Sequence, residues 1–147
     1  MRSLAQILAT AVVVLAVAIG ALILVVDDDP SIRHLVADCL GDDPGVQMAE
    51  AHNGRAALEV IAREPPALVL LDLSMPEVDG LEVARRLKGD PATRAIPLVA
   101  MSAGGRRSAA LASGCDDFIA KPFDLNDLAA LVHGWLARAR TASRRPR

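Results

Sequence analysis

Short apolar segments recur along the chain, and stretches whose apolar residues follow helical spacing separate them. The clearest segment is 68–71 (LVLL), which is too short for a helix and too apolar for a surface loop. Such a run is typical of a strand buried on both faces in the middle of a parallel sheet. The other predicted strands are 21–26, 46–51, 96–101 and 117–120.

The segments between and after these strands predict five helices. Asp29 can cap the first helix, with Pro30 at its first position. Asn53 can cap the second helix. The third helix is predicted over 81–88 and the fourth over 106–112. The apolar residues of the fifth helix form one face: Leu125, Leu128, Leu131, Val132, Trp135 and Leu136.

Strands that alternate with helices predict an α/β fold, a doubly wound five-stranded parallel sheet with right-handed crossovers. We expect an extra apolar helix at the N-terminus. The predicted divisions are an apolar segment over 1–20, one α/β domain over 21–138 and a basic tail over 139–147.

The N-terminal segment is unusual because residues 4–26 include no charged side chain. After the first strand is subtracted, residues 4–20 are at the lower limit of a bilayer-spanning helix. They also resemble a signal peptide, with Arg2 before the apolar run and 16–18 (AVA) as a cleavage site. A third interpretation is an upstream translation start that adds residues the domain does not need. We favour a helix here, acting as a membrane anchor.

Composition narrows the function classes. The chain has 16 Lys and Arg against 18 Asp and Glu, so net charge predicts no general affinity for polyanions. An aromatic content of 2% argues against a base-stacking surface for nucleic acid. Cys39 and Cys115 lack metal-ligand spacing, and we interpret them as small buried residues in a reducing compartment.

Polar residues follow the predicted strands, and the carboxyl ends of parallel strands meet at one edge of a sheet. Two unit charges about 4 Å apart repel by about 4 kcal/mol at an effective dielectric of 20, and one lysine cannot offset several acids. Mg²⁺ can, because it prefers carboxylates, waters and phosphate oxygens. The pattern predicts a magnesium site that receives a phosphoryl group, built from Asp27, Asp28, Asp29, Asp72, Ser102 and Lys121.

The motifs around these residues resemble the receiver domain of response regulators, the phosphoacceptor module of two-component signalling. The matching pieces are ILVVDDDPSIR (23–33), LVLLDLSMPEVDGLE (68–82), PLVAMSA (97–103) and DDFIAKPF (116–123). The resemblance covers about residues 21–138 and implies a flavodoxin-like strand order, 2-1-3-4-5.

The resemblance also implies a role for each matching position. Asp72 corresponds to the phosphoacceptor, and Asp28 and Asp72 to direct Mg²⁺ ligands. Asp27 would hold the metal through water, and the backbone carbonyl of Ser74 would be a further ligand. Lys121 would pair with a phosphoryl oxygen.

Three further positions complete the resemblance. Pro122 would follow a cis peptide bond. Ser102 would bond the phosphoryl group once installed, and Phe118 would act as the aromatic switch that turns inward when Ser102 moves. The fourth helix, fifth strand and fifth helix would carry the output as a population shift.

By resemblance, the partners are a sensor histidine kinase or a phosphotransfer protein, and a downstream protein target rather than nucleic acid. We expect a regulator without an output domain that catalyses only its own phosphorylation and dephosphorylation. The expected location is the cytoplasm, with anchoring to the inner membrane through residues 4–20.

Two departures from the family pattern affect these expectations. The distance from Ser102 to Lys121 is about three residues shorter than usual, which trims the fourth helix or the loop before it. In addition, Ser74 and Gly104 occupy the two positions whose side chains help to position the hydrolytic water. Because they offer little for this, we predict slow self-dephosphorylation.

Two rival functions remain open. A haloacid-dehalogenase-type phosphatase would use Asp27 as its nucleophile, with Asp29, Ser102, Lys121 and the acidic pair 116–117. However, that family's acidic pair follows its lysine, and a cap domain does not fit in this length. The other rival is a receiver fold kept only for docking, and the presence of every acidic position argues against it.

Overall fold

A computed structural model describes residues 3–6 and 20–143. Five parallel strands form one sheet in the order β2-β1-β3-β4-β5, so the predicted strand order is confirmed. The strands are β1 (Ala21–Val26), β2 (Val46–Ala51), β3 (Leu68–Asp72), β4 (Leu98–Ala103) and β5 (Asp117–Lys121). The helices are α1 (Pro30–Gly41), α2 (Gly54–Arg63), α3 (Gly80–Gly89), α4 (Arg107–Ala112) and α5 (Leu125–Ser143).

Strand β3 is buried along its full length because helices cover both faces of the sheet. One face packs against α2, α3 and α4, with Ala57, Val83 and Ala110 in its buried cluster. The other packs against α1 and α5, with Val36 and Leu128 in a second cluster. Two-sided burial explains the uninterrupted apolar run in 68–71.

The helix starts follow capping chemistry. The Asp29 side chain accepts a hydrogen bond from the Ser31 amide at 2.9 Å, and Asn53 accepts one from the Ala56 amide at 2.7 Å. Both predicted caps are therefore present. Asp79 caps α3 by accepting from the Glu82 amide at 2.9 Å, so α3 begins at Gly80, one residue before its predicted start.

Gly80 is required by a close approach of two backbone segments. A Cβ at this position would overlap the carbonyl of Asp72 and the Cα of Leu73. Its amide also donates to the Leu73 carbonyl at 3.4 Å. The start of α3 is thereby packed directly against the end of β3.

The predicted bounds of β4 were wrong by two residues at each end. Ile96 is in a turn, where its amide donates to the Thr93 carbonyl at 3.0 Å, and pairing with β3 begins at Leu98. The strand continues through Ser102 to Ala103, which pair with β5. A 3₁₀ turn (Gly104–Arg106) then precedes the six residues of α4, so the fourth helix is short as predicted.

The predicted N-terminal helix lies mostly outside the described residues. Within the described parts of the chain, no helix is both long and apolar enough to cross a bilayer. At the other end, α5 continues to Ser143, so the predicted basic tail begins as helix.

Candidate functional site

Three carboxylates meet where β1 and β3 end. Asp27 and Asp28 follow β1, and Asp72 is the last residue of β3. One oxygen from each lies within 4.8 Å of the others. The predicted convergence of these acids at one sheet edge is therefore observed, because neighbouring parallel strands in register bring their carboxyl ends together.

The three acids differ in exposure. Asp27 is 0% exposed and Asp72 is 3% exposed, whereas Asp28 faces solvent. Asp29 lies outside the cluster because its side chain caps α1. The site thus has two buried carboxylates and one that is open to water.

Lys121, the last residue of β5, supplies the positive charge. Its Nζ donates to Oδ2 of Asp27 at 2.7 Å and lies 3.6 Å from Oδ1 of Asp72. Burial alone lowers the pKa of Lys121, but the hydrogen bond and charge of Asp27, followed by those of Asp72, outweigh it and raise the pKa above its ordinary value. Lys121 is therefore a charged partner of both acids.

Asp72 is poorly solvated. Burial raises its pKa to about 6, and the charges of Asp27 and Asp28 act in the same direction. The Ser74 amide, which donates to Oδ1 of Asp72 at 3.1 Å, and the charge of Lys121 both oppose this rise. Ionisation of Asp72 is therefore unfavourable unless a further cation lies nearby.

The donor set fits a hard divalent cation. Three carboxylate oxygens within reach of one ion, one of them open to water, match the preference of Mg²⁺ for a few carboxylates and retained waters. Ser74, two residues after Asp72, is also exposed. These residues therefore fit the predicted magnesium site.

Ser102 lies in β4, next to β3. It is 2% exposed, and its Oγ has no hydrogen-bond partner among the described residues. A buried hydroxyl without a partner is uncommon, because it loses its bonds to water and gains nothing in return. A phosphoryl oxygen at the sheet edge is an acceptor that would satisfy it.

The structure also describes the predicted positions Pro122 and Phe118. The peptide bond between Lys121 and Pro122 is cis, as the resemblance implied. Phe118 is 7% exposed and belongs to the cluster that contains Ala110 and Cys115. Its side chain is therefore already inside the fold in this conformation.

Two arginines near the site were missed by sequence reasoning. Nη1 of Arg33 donates to the Asp27 carbonyl at 2.7 Å, while its Nε lies 3.5 Å from Glu50. Nη1 of Arg106 donates to Oγ of Ser74 at 3.0 Å. Arg33 could have been suspected because it lies one helical turn after the Asp29 cap, whereas nothing in the local sequence indicates the contact of Arg106.

The acidic pair Asp116 and Asp117 lies at the opposite end of β5. Oδ2 of Asp116 accepts from Lys88 Nζ at 2.6 Å and from the Leu98 amide at 2.8 Å. Oδ2 of Asp117 accepts from the Trp135 indole at 3.0 Å. Neither acid takes part in the cluster around Asp72, so the phosphatase arrangement is not formed.

This fold and this acidic edge define the receiver domains of response regulators. The chain belongs to that family, and the family model for the response regulator receiver domain matches residues 23–133. The family is a signalling family of two-component systems.

Individual relatives agree with this assignment. Response regulator Rre1 of Synechocystis is 36% identical over 82% of this chain and 54% of that protein. An uncharacterised 14.6 kDa protein encoded in the sodA1 3′ region of Leptolyngbya boryana is 42% identical over 75% of this chain and 86% of that protein. Among solved structures, the receiver domain of a signal transduction histidine kinase from Syntrophus aciditrophicus has a TM-score of 0.76 and 31% identity over 87% of this chain and 96% of its own. The chain thus spans about half the length of Rre1.

Proposed function

We propose that this receiver domain accepts a phosphoryl group on Asp72 from a histidine kinase or a phosphotransfer protein. The observation that carries the proposal is the placement of Asp72 within one ion's reach of Asp27 and Asp28, with Lys121 beside it. A buried carboxylate at the end of a central strand, flanked by charges of both signs, suits nucleophilic attack on phosphorus.

In the proposed reaction a carboxylate oxygen of Asp72 attacks the phosphorus of a phosphohistidine. The O–P bond forms while the N–P bond breaks, and the bonding electron pair returns to the imidazole ring. Lys121 would offset the charge on the phosphoryl oxygens in the in-line transition state. Its present contact at 3.6 Å from Asp72 supports this role.

Asp28 and Asp72 would hold Mg²⁺ directly, with the Ser74 carbonyl as a further ligand. A bound ion would neutralise charge on the entering phosphoryl oxygens. Asp27 would act through water, because its Oδ2 is engaged by Lys121 and its Oδ1 accepts from the Asp29 amide at 2.9 Å.

Once Asp72 is phosphorylated, the unpartnered hydroxyl of Ser102 would donate to a phosphoryl oxygen. This would draw the end of β4 toward the site and shift the surface of α4, β5 and α5, which meets the downstream protein. Phe118 would sense the shift from its buried position rather than by entering from solvent, since it is already 7% exposed.

The test is incubation with acetyl phosphate and Mg²⁺, followed by intact mass. The wild-type protein should gain one phosphoryl group, whereas Asp72→Asn and a sample with the metal chelated should not. Equal uptake by Asp72→Asn would place the acceptor elsewhere. No uptake by a folded wild-type protein would instead favour a receiver fold that serves only for docking.

We also propose that residues 4–20 anchor the protein at the inner face of the cytoplasmic membrane. Strand β1 begins, and α5 ends, at the sheet edge opposite Asp72, because helices and strands run antiparallel in this fold. The acidic site would therefore face away from the bilayer, toward its partners. Recovery of the full-length chain in the soluble fraction without detergent would exclude an anchor.

A further inference from the structure

Arg106 contacts the segment that carries the phosphoacceptor. It ends the 3₁₀ turn that follows β4, and its side chain crosses to the loop after β3. There Nη1 donates to Oγ of Ser74 at 3.0 Å and lies at 3.5 Å from the Leu73 carbonyl. The Ser74 amide in turn donates to Oδ1 of Asp72. Two hydrogen bonds, one to the side chain of Ser74 and one from its amide, thus link the Arg106 guanidinium to the Asp72 carboxylate.

The charge of Arg106 is not offset by an acid. Among the described residues it forms no ion pair, and the two groups that it contacts are neutral oxygens. Arg106 as a residue is partly buried, while its neighbour Arg107 faces solvent. Charge-assisted hydrogen bonds are about twice as strong as neutral ones, so an anion placed beside Ser74 would compete for the Arg106 donors.

The backbone that carries Arg106 is lightly packed. A Cβ added at Gly104 would meet only the Ala120 Cβ, at 3.9 Å, and one at Gly105 would meet nothing within 4 Å. The turn therefore has open space on its glycine side. A phosphoryl group on Asp72 would add a strong anion beside Ser74, which Arg106 already contacts.

We propose that Arg106 is a second cationic ligand of the phosphoryl group, exchanging Ser74 and Leu73 for phosphoryl oxygens when Asp72 is phosphorylated. The inference rests on the proposed function and extends it. Lys121 reaches the group from β5, whereas Arg106 reaches it from the turn that leads into α4. Phosphorylation would thus shift the short α4 through Arg106 as well as through Ser102.

The experiment measures two affinities separately. Mg²⁺ alone is titrated first, and beryllium fluoride, which binds carboxylates as a phosphoryl analogue, is then titrated at saturating Mg²⁺. The variants are Arg106→Ala, Arg106→Gln and Arg106→Lys, with Arg107→Ala as the matched control. Arg106→Gln can still donate to Ser74 without the charge, and it replaces Arg106→Ala if that variant is unfolded.

Arg106→Ala and Arg106→Gln should bind beryllium fluoride about tenfold more weakly, the effect of losing a hydrogen bond to a charged group. Their Mg²⁺ affinity should be equal to that of the wild type or slightly higher, since a nearby positive charge is removed. Arg106→Lys should retain part of the affinity because it keeps the charge but loses the planar fork. Arg107→Ala should match the wild type.

Other outcomes overturn the inference. Equal beryllium fluoride affinity in all Arg106 variants and in Arg107→Ala would show that Arg106 does not contact the group, while Asp72 could still be the acceptor. A parallel loss of Mg²⁺ affinity in Arg106→Gln would mean that Arg106 only holds the loop. If the wild type itself binds no beryllium fluoride and equals Asp72→Asn, the phosphoacceptor proposal falls together with it.

Discussion

Lys121 is closer to Asp27 than to Asp72: its Nζ lies 2.7 Å from Oδ2 of Asp27 and 3.6 Å from Oδ1 of Asp72. The lysine therefore offsets the fully buried acid first. Among the described residues, only the Ser74 amide is bonded more closely to Asp72, donating to Oδ1 at 3.1 Å. The other carboxylate oxygen of Asp72 is left available to a metal ion or a phosphorus atom. The close pairing of Lys121 with Asp27 leads to the first prediction below, and the weaker pairing of Asp72 leads to the second.

Replacing Lys121 by methionine should destabilise the Mg²⁺-free protein. Asp27 is 0% exposed and would lose its ion pair, while partial solvent access to Lys121 limits the cost to roughly 1–2 kcal/mol. Urea denaturation would measure the difference. The control is Arg55→Met, which removes an exposed ion pair with Glu59 and should change stability by less than about 0.5 kcal/mol. Equal stability changes in the two variants would contradict the role assigned to the Asp27 pair.

Asp72→Asn should stabilise the Mg²⁺-free protein at about pH 8, by roughly 3 kcal/mol. The pKa of Asp72 is about 6 in the folded protein, above its ordinary value of 3.8, so folding favours the protonated form. The stability from this group is complete below about pH 4 and is lost as pH rises through about 6.

Denaturation at about pH 8 and about pH 4, with a chelator present, tests this prediction. The advantage of Asp72→Asn should shrink toward the lower pH. Saturating Mg²⁺ should reverse the order at the higher pH, because only the wild type supplies the Asp72 carboxylate to the ion. If the difference in stability between the two proteins does not change with pH, ionisation of Asp72 does not destabilise the folded protein.

Ser102→Ala should weaken anion binding without lowering the stability of the protein. The buried Ser102 hydroxyl has no partner in the part of the chain that the structure describes, so its removal should leave the unphosphorylated protein as stable as the wild type, or more stable by up to about 1 kcal/mol. Affinity for beryllium fluoride with Mg²⁺ should nevertheless fall about tenfold. The exposed Ser108→Ala provides the control in the following helix. A clear loss of stability in Ser102→Ala would instead mean that the Ser102 hydroxyl forms a hydrogen bond in the unphosphorylated protein.

The phosphoryl group on Asp72 should be long-lived in the purified domain. Gly104 has no side chain to hold a hydrolytic water, and the short hydroxyl of Ser74 offers little for this. Loss of the added mass after removal of acetyl phosphate would be followed over time. Ser74→Asn should shorten the lifetime, because its amide can orient a water molecule, and Ser108→Ala should not. A wild-type lifetime of only seconds would refute the prediction.

The sheet was predictable because its signals are local. Apolar runs such as 68–71 indicate two-sided burial without knowledge of what covers them, and the caps Asp29 and Asn53 act within one helical turn. The convergence of Asp27, Asp28 and Asp72 followed from strand direction alone. The resemblance supplied the strand order, which periodicity leaves open. The bounds of β4 were mispredicted because apolar Ile96 extends the hydrophobic run, whereas pairing with β3 starts only at Leu98.

The amino-acid sequence by itself determined the elements of this protein and the edge of the sheet to which its acids belong, because both depend on periodicity and chain direction. Only the tertiary structure decided how the charges are paired. Lys121 could have paired first with either acid, and the 2.7 Å contact with Asp27 depends on side-chain positions in three dimensions. The reach of Arg106 to Ser74, across 32 residues of chain, likewise depends on the path of a loop that no local signal specifies.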